Sequence, residues 1–228
     1  MDNFIPFEEA LRKILTSTPP LTLERIDILN SLGRVLGEDI YSPKDIPPND
    51  NSAMDGYAVR HGDLCRLPKR LKVIEDLPAG YFPKKIIKKD EAIRIMTGAP
   101  IPNGADTVVI VEDTKVEGKG YVRIFKDTGK GANIRKRGED VKKGALVIPK
   151  GKLIRPSDVG MMASLGRSFV LVSRNPRVAI LSTGDELSCV DENIEGKIID
   201  SNSYSLASQV RECGGIPVLL GIARDNRK

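Results

Sequence analysis

The chain has 228 residues, 40% of them apolar, and a net charge of +5, which allows a sizeable core in one large domain or several small ones. Aromatics make up only 4%, with no Trp, so a base-stacking nucleic-acid surface lacks its usual material. A single histidine (His61) excludes a His-rich metal site, and three scattered cysteines (Cys65, Cys189, Cys213) form neither a disulfide framework nor a CxxC zinc set, which fits a reducing compartment.

Residues 4–15 read as an amphipathic helix. Pro6 suits its first position, and Phe7, Ala10, Leu11, Ile14 and Leu15 follow the i, i+3, i+4, i+7, i+8 spacing. Met1-Asp2-Asn3 does not open a signal peptide, and no stretch approaches the ~20 apolar residues of a membrane span. The expectation is a soluble cytoplasmic protein with no membrane and no nucleic-acid partner. Leu23 to Leu36 reads as a short strand and a helical turn that stops at Gly33, and Pro43, Pro47 and Pro48 mark a domain boundary.

From Asn49 to about Asp140 the signals are β. Apolar runs at 73–74, 86–87, 92–95, 107–111 and 121–125 alternate with Gly and Pro, and Glu117-Gly118-Lys119-Gly120 makes a hairpin turn. These imply a compact β-barrel or sandwich. A strand at 145–148, a helix over 156–165 closed by Gly166, and a strand at 169–172 follow. Residues 177–182 then read as a strand buried on both faces of a parallel sheet, 200–202 as the start of a helix to Cys213, and 216–222 as a second buried strand. One βαβ unit cannot cover its own faces and edges, so the chain is expected to be part of a longer protein.

Five polar segments interrupt this scaffold. Asn51-Ser52-Ala53-Met54-Asp55-Gly56-Tyr57-Ala58 contains a turn signal. Arg94 to Pro102 runs a strand into a rigid loop with one hydroxyl, Thr97. Residues 126–143 set seven Lys/Arg against three acids, a local +4; this reads either as a solvated loop or, around Arg135-Lys136-Arg137, as a phosphate or oxyanion site. Ser182-Thr183-Gly184-Asp185-Glu186 and Arg224-Asp225-Asn226 both follow parallel strands, at the edge where open α/β sheets bind ligands. Two carboxylates there, Glu186 and Asp225, suit a hard cation such as Mg²⁺. Asp200 and Asn202 serve as helix caps or as part of an anion site.

In this order, NSAMDGYA, RIMTGAPIP, NIRKRGED, RVAILSTGDEL and RDN resemble the molybdopterin molybdenumtransferase family, the MoeA proteins and the E domain of gephyrin. The resemblance covers essentially the whole chain as an N-terminal portion. It implies a multidomain α+β and α/β architecture. Residues 1–22 would form a helix packing on the α/β domain, and 23–46 with 141–173 an elongated, discontinuous dimerisation domain. Residues 47–140 would form an inserted β-barrel-like domain, and 174–228 the start of a three-layer α/β molybdopterin-binding domain, truncated here.

The activity the resemblance implies is Mg²⁺-dependent insertion of molybdate into adenylylated molybdopterin with release of AMP. It implies a homodimer supplied by a molybdopterin adenylyltransferase. Asp55, Thr97, Asp140, Glu186 and Asp225 match positions important for activity. The resemblance matches positions only; on residue chemistry we assign Glu186 and Asp225, with Asp140, to the metal and phosphoanhydride, Asp55 and Thr97 to orienting water or molybdate, and Arg135 and Arg137 to guiding anions. Ser182, Thr183, Asp200 and Asn202 are expected to join them as substrate-binding residues. The alternative is a gephyrin-like dimeric scaffold without catalysis.

Overall fold

In the computed structural model, which describes residues 5–192 and 194–225, the first apolar stripe winds into α1 (Phe7–Ser17) with Pro6 at its N-cap rather than inside it. Phe4, Met1-Asp2-Asn3 and Asn226 lie outside the described residues. None of the residues of α1 is buried, and Phe7, Leu11, Ile14 and Leu15 are exposed. The chain forms two compact units, one of Met1–Ile40 with Ile148–Lys228 and one of Tyr41–Val147.

In the first unit β1 (Leu23–Asp27) leads into a 3-10 turn over Ile28–Asn30, capped by the Asp27 carboxylate, which accepts from Leu29 N at 2.8 Å. The crossing to the second unit falls within β2 (Ile40–Tyr41), just before the prolines expected to mark it.

The second unit begins with the short β3 (Asn51–Ser52) and β4 (Gly56–Val59), then β5 (Lys69–Leu77), β6 (Glu91–Ile95), β7 (Thr107–Ile110), β8 (Thr114–Val116) and β9 (Tyr121–Ile124). Instead of a sandwich or closed barrel, six of these form one mixed sheet in the order β7-β4-β6-β5-β9-β8, with β5 and β6 parallel. The two edge strands, β7 and β8, are joined only by the turn Val111–Asp113. A flat sheet of six strands would hold its edges about 24 Å apart, whereas four residue steps span at most about 14 Å. The sheet therefore curls into a half-barrel.

Both faces of the sheet are covered. Tyr57, Val59, Leu71, Ala92, Val109, Val122 and Ile124 share one cluster, and Ala58, Leu77, Ile93, Ile95 and Val108 share the other. Each fully buried side chain of this size contributes about 1.5–3 kcal/mol. A bulge between Val73 and Glu75 moves Leu77 to the face opposite Leu71. Ile86 and Ile87, expected in a strand, lie in a loop. The Glu75 carboxylate accepts from the Lys84 and Lys85 amides, and only Ile87 is buried. The unit closes with β10 (Ile134–Arg135), which pairs with β3, and the start of β11 (Leu146–Ile148).

Back in the first unit, α2 (Pro156–Ser164) starts with proline at N1 and ends at Gly166, which has φ +78°. β12 (Phe169–Ser173) pairs antiparallel with β1. The βαβ segment follows: β13 (Arg177–Thr183), the short parallel pair β14 (Leu187–Ser188) and β15 (Ile198–Ile199), α3 (Asn202–Glu212) and β16 (Ile216–Ala223). β13 and β16 are parallel, as expected, but not buried on both faces: Ile180 is the one buried residue of β13, and Leu181, Leu219 and Leu220 are exposed. An apolar run marks the capacity for burial; two strands and one helix cover only one face. No helix among the described residues is long and apolar enough to cross a membrane.

One glycine is a steric requirement of the half-barrel. A Cβ at Gly56 would lie 2.0 Å from the Val109 carbonyl oxygen, between β4 and the edge strand β7. Gly56→Ala is expected to destabilise the protein by about 3 kcal/mol, the upper end for overpacking. Gly62→Ala, where nothing lies within 4 Å, should change the urea midpoint little.

Candidate functional site

In the Tyr41–Val147 unit, three of the polar segments interlock through the backbone. Ser52 N donates to the Ala99 carbonyl and Gly98 N to the Ser52 carbonyl, while Ala53 N donates to Asn133. The Ser52 hydroxyl donates to the Met54 carbonyl at 2.6 Å, which closes the loop onto Asp55. Asp55 then meets Thr97, forty-two residues away. Its Oδ1 accepts from the Thr97 amide and from the Thr97 hydroxyl, each at 2.7 Å. These two donors, the amide first, hold the Asp55 carboxyl below the ordinary aspartate range. Asp55 is exposed and its Oδ2 has no protein donor among the described residues, so a charged oxygen faces solvent beside the Thr97 hydroxyl.

The basic segment is internally paired rather than a free cationic patch. Arg135 reaches Glu139 at 2.8 Å and Asp140 at 2.5 Å, and these carboxylates hold its guanidinium more firmly protonated. Lys136 pairs with Asp50 at 2.8 Å and Arg137 with Asp45 at 2.5 Å. The Arg137 amide also donates to Asp50, and the Lys143 amide to Asp45. Both aspartates are held below the ordinary range, Asp45 chiefly by the Lys143 amide and Asp50 chiefly by the Lys136 ammonium. Sequence reading missed Asp45 and Asp50 because their partners lie 86 to 92 residues further on. The available signal was a proline-containing stretch, DIPPND, whose two acids are opposite in sign to RKR. The pairs are largely solvent-accessible, so each contributes little by itself; their role is to fix the loop.

In the other unit, Ser182 and Thr183 end β13, aligned with Ile222 and Ala223 of β16. The loops beyond are tied together. Gly184 N donates to the Ala223 carbonyl at 3.1 Å, Arg224 to the Leu187 carbonyl at 2.8 Å, and Asp225 N to the Asp185 carboxylate at 3.3 Å. The Glu186 carboxylate lies over Gly184, where a Cβ would meet its oxygens at 2.5 and 2.6 Å. Glu186 and Asp225 are both exposed, and neither carboxylate has a side-chain ion pair among the described residues. Asp200 is buried and caps α3 itself: it accepts from Ser203 N at 3.1 Å and from the Ser203 hydroxyl at 2.5 Å. The Ser203 hydroxyl first, then Ser182, hold its carboxyl below the ordinary range. Asn202 is the first residue of that helix.

Each unit thus gathers its own share of the expected residues: Asp55, Thr97, Arg135, Arg137 and Asp140 in one, Ser182, Thr183, Glu186, Asp200, Asn202 and Asp225 in the other. Among the described residues no group of three or more His, Cys, Asp or Glu side chains is arranged to hold a metal ion. Asp140 is already paired with Arg135. Glu186 and Asp225 are exposed carboxylates, the oxygen donors that a hard cation takes.

A family model, the MoeA N-terminal region (domain I and II), matches residues 5–166. The chain belongs to the MoeA family. It is 39% identical over 208 residues to a molybdopterin molybdenumtransferase of Nostoc, covering 89% of this chain and 48% of that protein. It is 37% identical to the Bacillus subtilis molybdopterin molybdenumtransferase, over 97% of this chain and 53% of the relative. The crystal structure of the molybdopterin biosynthesis moeA protein from Pyrococcus horikoshii OT3 superposes with a TM-score of 0.91 at 38% identity, over 99% of this chain and 61% of the other. The chain thus spans about half the length of the curated relatives it matches. The matched region contains Asp55, Thr97 and Asp140, while Glu186 and Asp225 lie beyond it.

The Asp55–Thr97 contact gives a pH-dependent signature. A folded-state midpoint below the unfolded one contributes stability above the ordinary aspartate range, and this is lost as pH falls through the depressed midpoint. NMR titration should place the Asp55 midpoint below that range. Thr97→Val should raise it part of the way back, because the backbone donor remains. An unchanged midpoint in Thr97→Val would contradict the hydroxyl's share.

Proposed function

We propose that the chain is the N-terminal portion of a cytoplasmic, homodimeric enzyme of molybdenum cofactor biosynthesis. Its reaction is the Mg²⁺-dependent insertion of molybdate into adenylylated molybdopterin, with release of AMP. A molybdopterin adenylyltransferase supplies the substrate. The observation that carries this reading is the paired-strand edge of β13 and β16, where Glu186 and Asp225 leave two exposed carboxylates beside the Ser182 and Thr183 positions. The likeness to proteins named molybdopterin molybdenumtransferase supports it along almost the whole chain.

In this reading, Glu186 and Asp225 would hold the cation, while Asp140, matched to a position important for activity, keeps Arg135 oriented. Bound Mg²⁺ supplies charge neutralisation at the phosphoanhydride that is cleaved as AMP leaves. Ser182 and Thr183 offer hydroxyls to the substrate, and Asp200 and Asn202 set the start of α3 beside them. Asp55 remains ionised at neutral pH, so its Oδ2 accepts from a water, and the Thr97 hydroxyl, oriented by Oδ1, keeps lone pairs for a proton of a second water; a water held by either would donate its remaining hydrogen to molybdate. Arg135 and Arg137 guide anions while their carboxylate partners hold their geometry. Molybdenum is the cargo and is held by the sulfurs of the pterin substrate, so the lack of a cysteine cluster is compatible.

For the architecture, we propose that residues 23–46 and 141–173 belong to an elongated dimerisation domain and 47–140 to an inserted β-domain. Residues 174–228 open the molybdopterin-binding α/β domain, on which the helix in 1–22 packs. The test uses the intact gene product with adenylylated molybdopterin. AMP release should require both molybdate and Mg²⁺, and Glu186→Gln should lower it more than about tenfold, because an amide replaces an anionic ligand of a hard cation. Release unaffected by the substitution would remove Glu186 from the metal role.

A further inference from the structure

The Tyr41–Val147 unit carries a concentration of charge that the residues above leave unused. Residues 66–89 hold eight Lys/Arg against Glu75 and Asp76, a local +6 that exceeds the +5 of the whole chain. The acids around this stretch are already engaged. Glu75 accepts from the Lys84 and Lys85 amides at 3.1 and 3.0 Å, and Asp76 pairs with Arg94 at 3.3 Å. Asp90 pairs with Lys69 at 2.5 Å, and Glu91 accepts from the Lys88 amide at 2.9 Å. The ammonium groups of Lys84, Lys88 and Lys89 are left without an ion pair among the described residues. This is the reverse of the Arg135-Lys136-Arg137 loop, where every cation has its carboxylate.

Topology puts these lysines on the outside of the sheet. β5 and β6 are parallel, with Lys72 opposite Glu91 and Leu77 opposite Ile95. Between Leu77 and Glu91 the chain must therefore run back along the strands by about 17 Å. Residues 78–90 make this return as an irregular strap. Ile87 fastens it: the side chain is buried in the cluster with Leu77 and Ile93, and its amide donates to the Asn103 carbonyl at 2.9 Å. The Lys85 ammonium fixes it again, donating to the Ile74 carbonyl at 2.5 Å. The outer side keeps Tyr81, Phe82 and Ile86, which are 66%, 71% and 61% exposed, flanked by the unpaired lysines.

Exposed apolar side chains rimmed by charge mark an interaction surface, and three features select what it meets. The cations are lysines, point charges on flexible stems, rather than the arginine forks that read phosphate and nucleic acid bidentately. Three large apolar side chains are few for the centre of a protein interface, which draws on about 20–30 residues a side. An aromatic pair and an aliphatic tip flanked by lysines instead suit a lipid headgroup layer, where rings sit at the boundary and ammonium groups lie among phosphates.

We propose that the strap at 78–89 docks the protein on an anionic lipid surface. Tyr81, Phe82 and Ile86 enter the headgroup boundary, while Lys84, Lys88 and Lys89 meet the lipid phosphates. The contact needs no membrane-spanning helix and does not rest on the reaction proposed above.

The test is co-sedimentation of the intact gene product with vesicles at an ionic strength of about 0.15 M. One set is phosphatidylcholine containing phosphatidylglycerol, the other phosphatidylcholine alone. Binding is expected to the anionic vesicles only, and it should weaken as salt rises. Lys84→Gln, Lys88→Gln and Lys89→Gln should together lower the partition coefficient about a hundredfold, at about fivefold per cation. Tyr81→Ser with Phe82→Ser should lower it at least about tenfold and leave the salt dependence in place. All five positions are exposed, so both variants should keep the urea midpoint and the rate of AMP release in solution. Vesicle binding and the reaction can then fail separately. Binding indifferent to loss of the lysines, equal binding to both sets of vesicles, or binding to neither overturns the proposal. Binding of polyuridylate or polyglutamate by a protein that ignores the anionic vesicles also overturns it, and assigns the strap to nucleic acid or to an acidic protein.

Discussion

The candidate site in the half-barrel depends on one close backbone approach. Gly56 starts β4, the strand held between β6 and β7, and the Val109 carbonyl occupies the space a side chain would need. With β4 seated there, the preceding residue, Asp55, has its carbonyl bound by Val111 N and its carboxylate turned onto Thr97. The short turn from β7 to β8 follows directly and forces the sheet to curl. The other unit uses the same device differently. At Gly184 the missing side chain leaves room for the Glu186 carboxylate, so an acidic group folds back over the end of β13.

Charge pairing explains why a loop as polar as 133–143 is ordered. Its cations meet acids on both sides: Glu139 and Asp140 within the loop, and Asp45 and Asp50 from the chain's first pass through this unit. Individually such exposed pairs are weak. Together with backbone bonds from Gly138 to the Pro47 carbonyl and from Asp140 to the Ile46 carbonyl, they fix the loop against residues 45–50. The consequence for function is order: Arg135 and Arg137 face solvent already oriented by carboxylates.

Local signals in the sequence carry much of this structure. The stripe of α1, the proline start and glycine stop of α2, and the apolar runs of β6, β7, β9, β13 and β16 all follow from periodicity and punctuation. β4 escapes such reading because Gly56-Tyr57-Ala58-Val59 is short and buried throughout, with no alternation to betray it. Ile86 and Ile87 mislead because two adjacent apolar residues meet the requirement for a strand without having a partner strand. The curl of the sheet and the partial exposure of β13 are properties of assembly, invisible in any single segment. At the site, Asp55 and Thr97 are each legible as polar residues in otherwise structural loops, but their contact is not, because it depends on strands 42 residues apart in sequence coming into register. Asp45 and Asp50 stay hidden for the same reason.

The central claim is that the Asp55 carboxylate holds Thr97 in place through its amide and hydroxyl. Amide hydrogen exchange at Thr97, compared between the natural protein and Asp55→Ala, tests it most directly. Removal of the acceptor should speed Thr97 exchange at least about tenfold, as expected when local opening no longer has to break that hydrogen bond. The Val108 amide, bonded to the Ala132 carbonyl within the same unit, should keep its protection. Equal Thr97 exchange in both proteins would contradict the account.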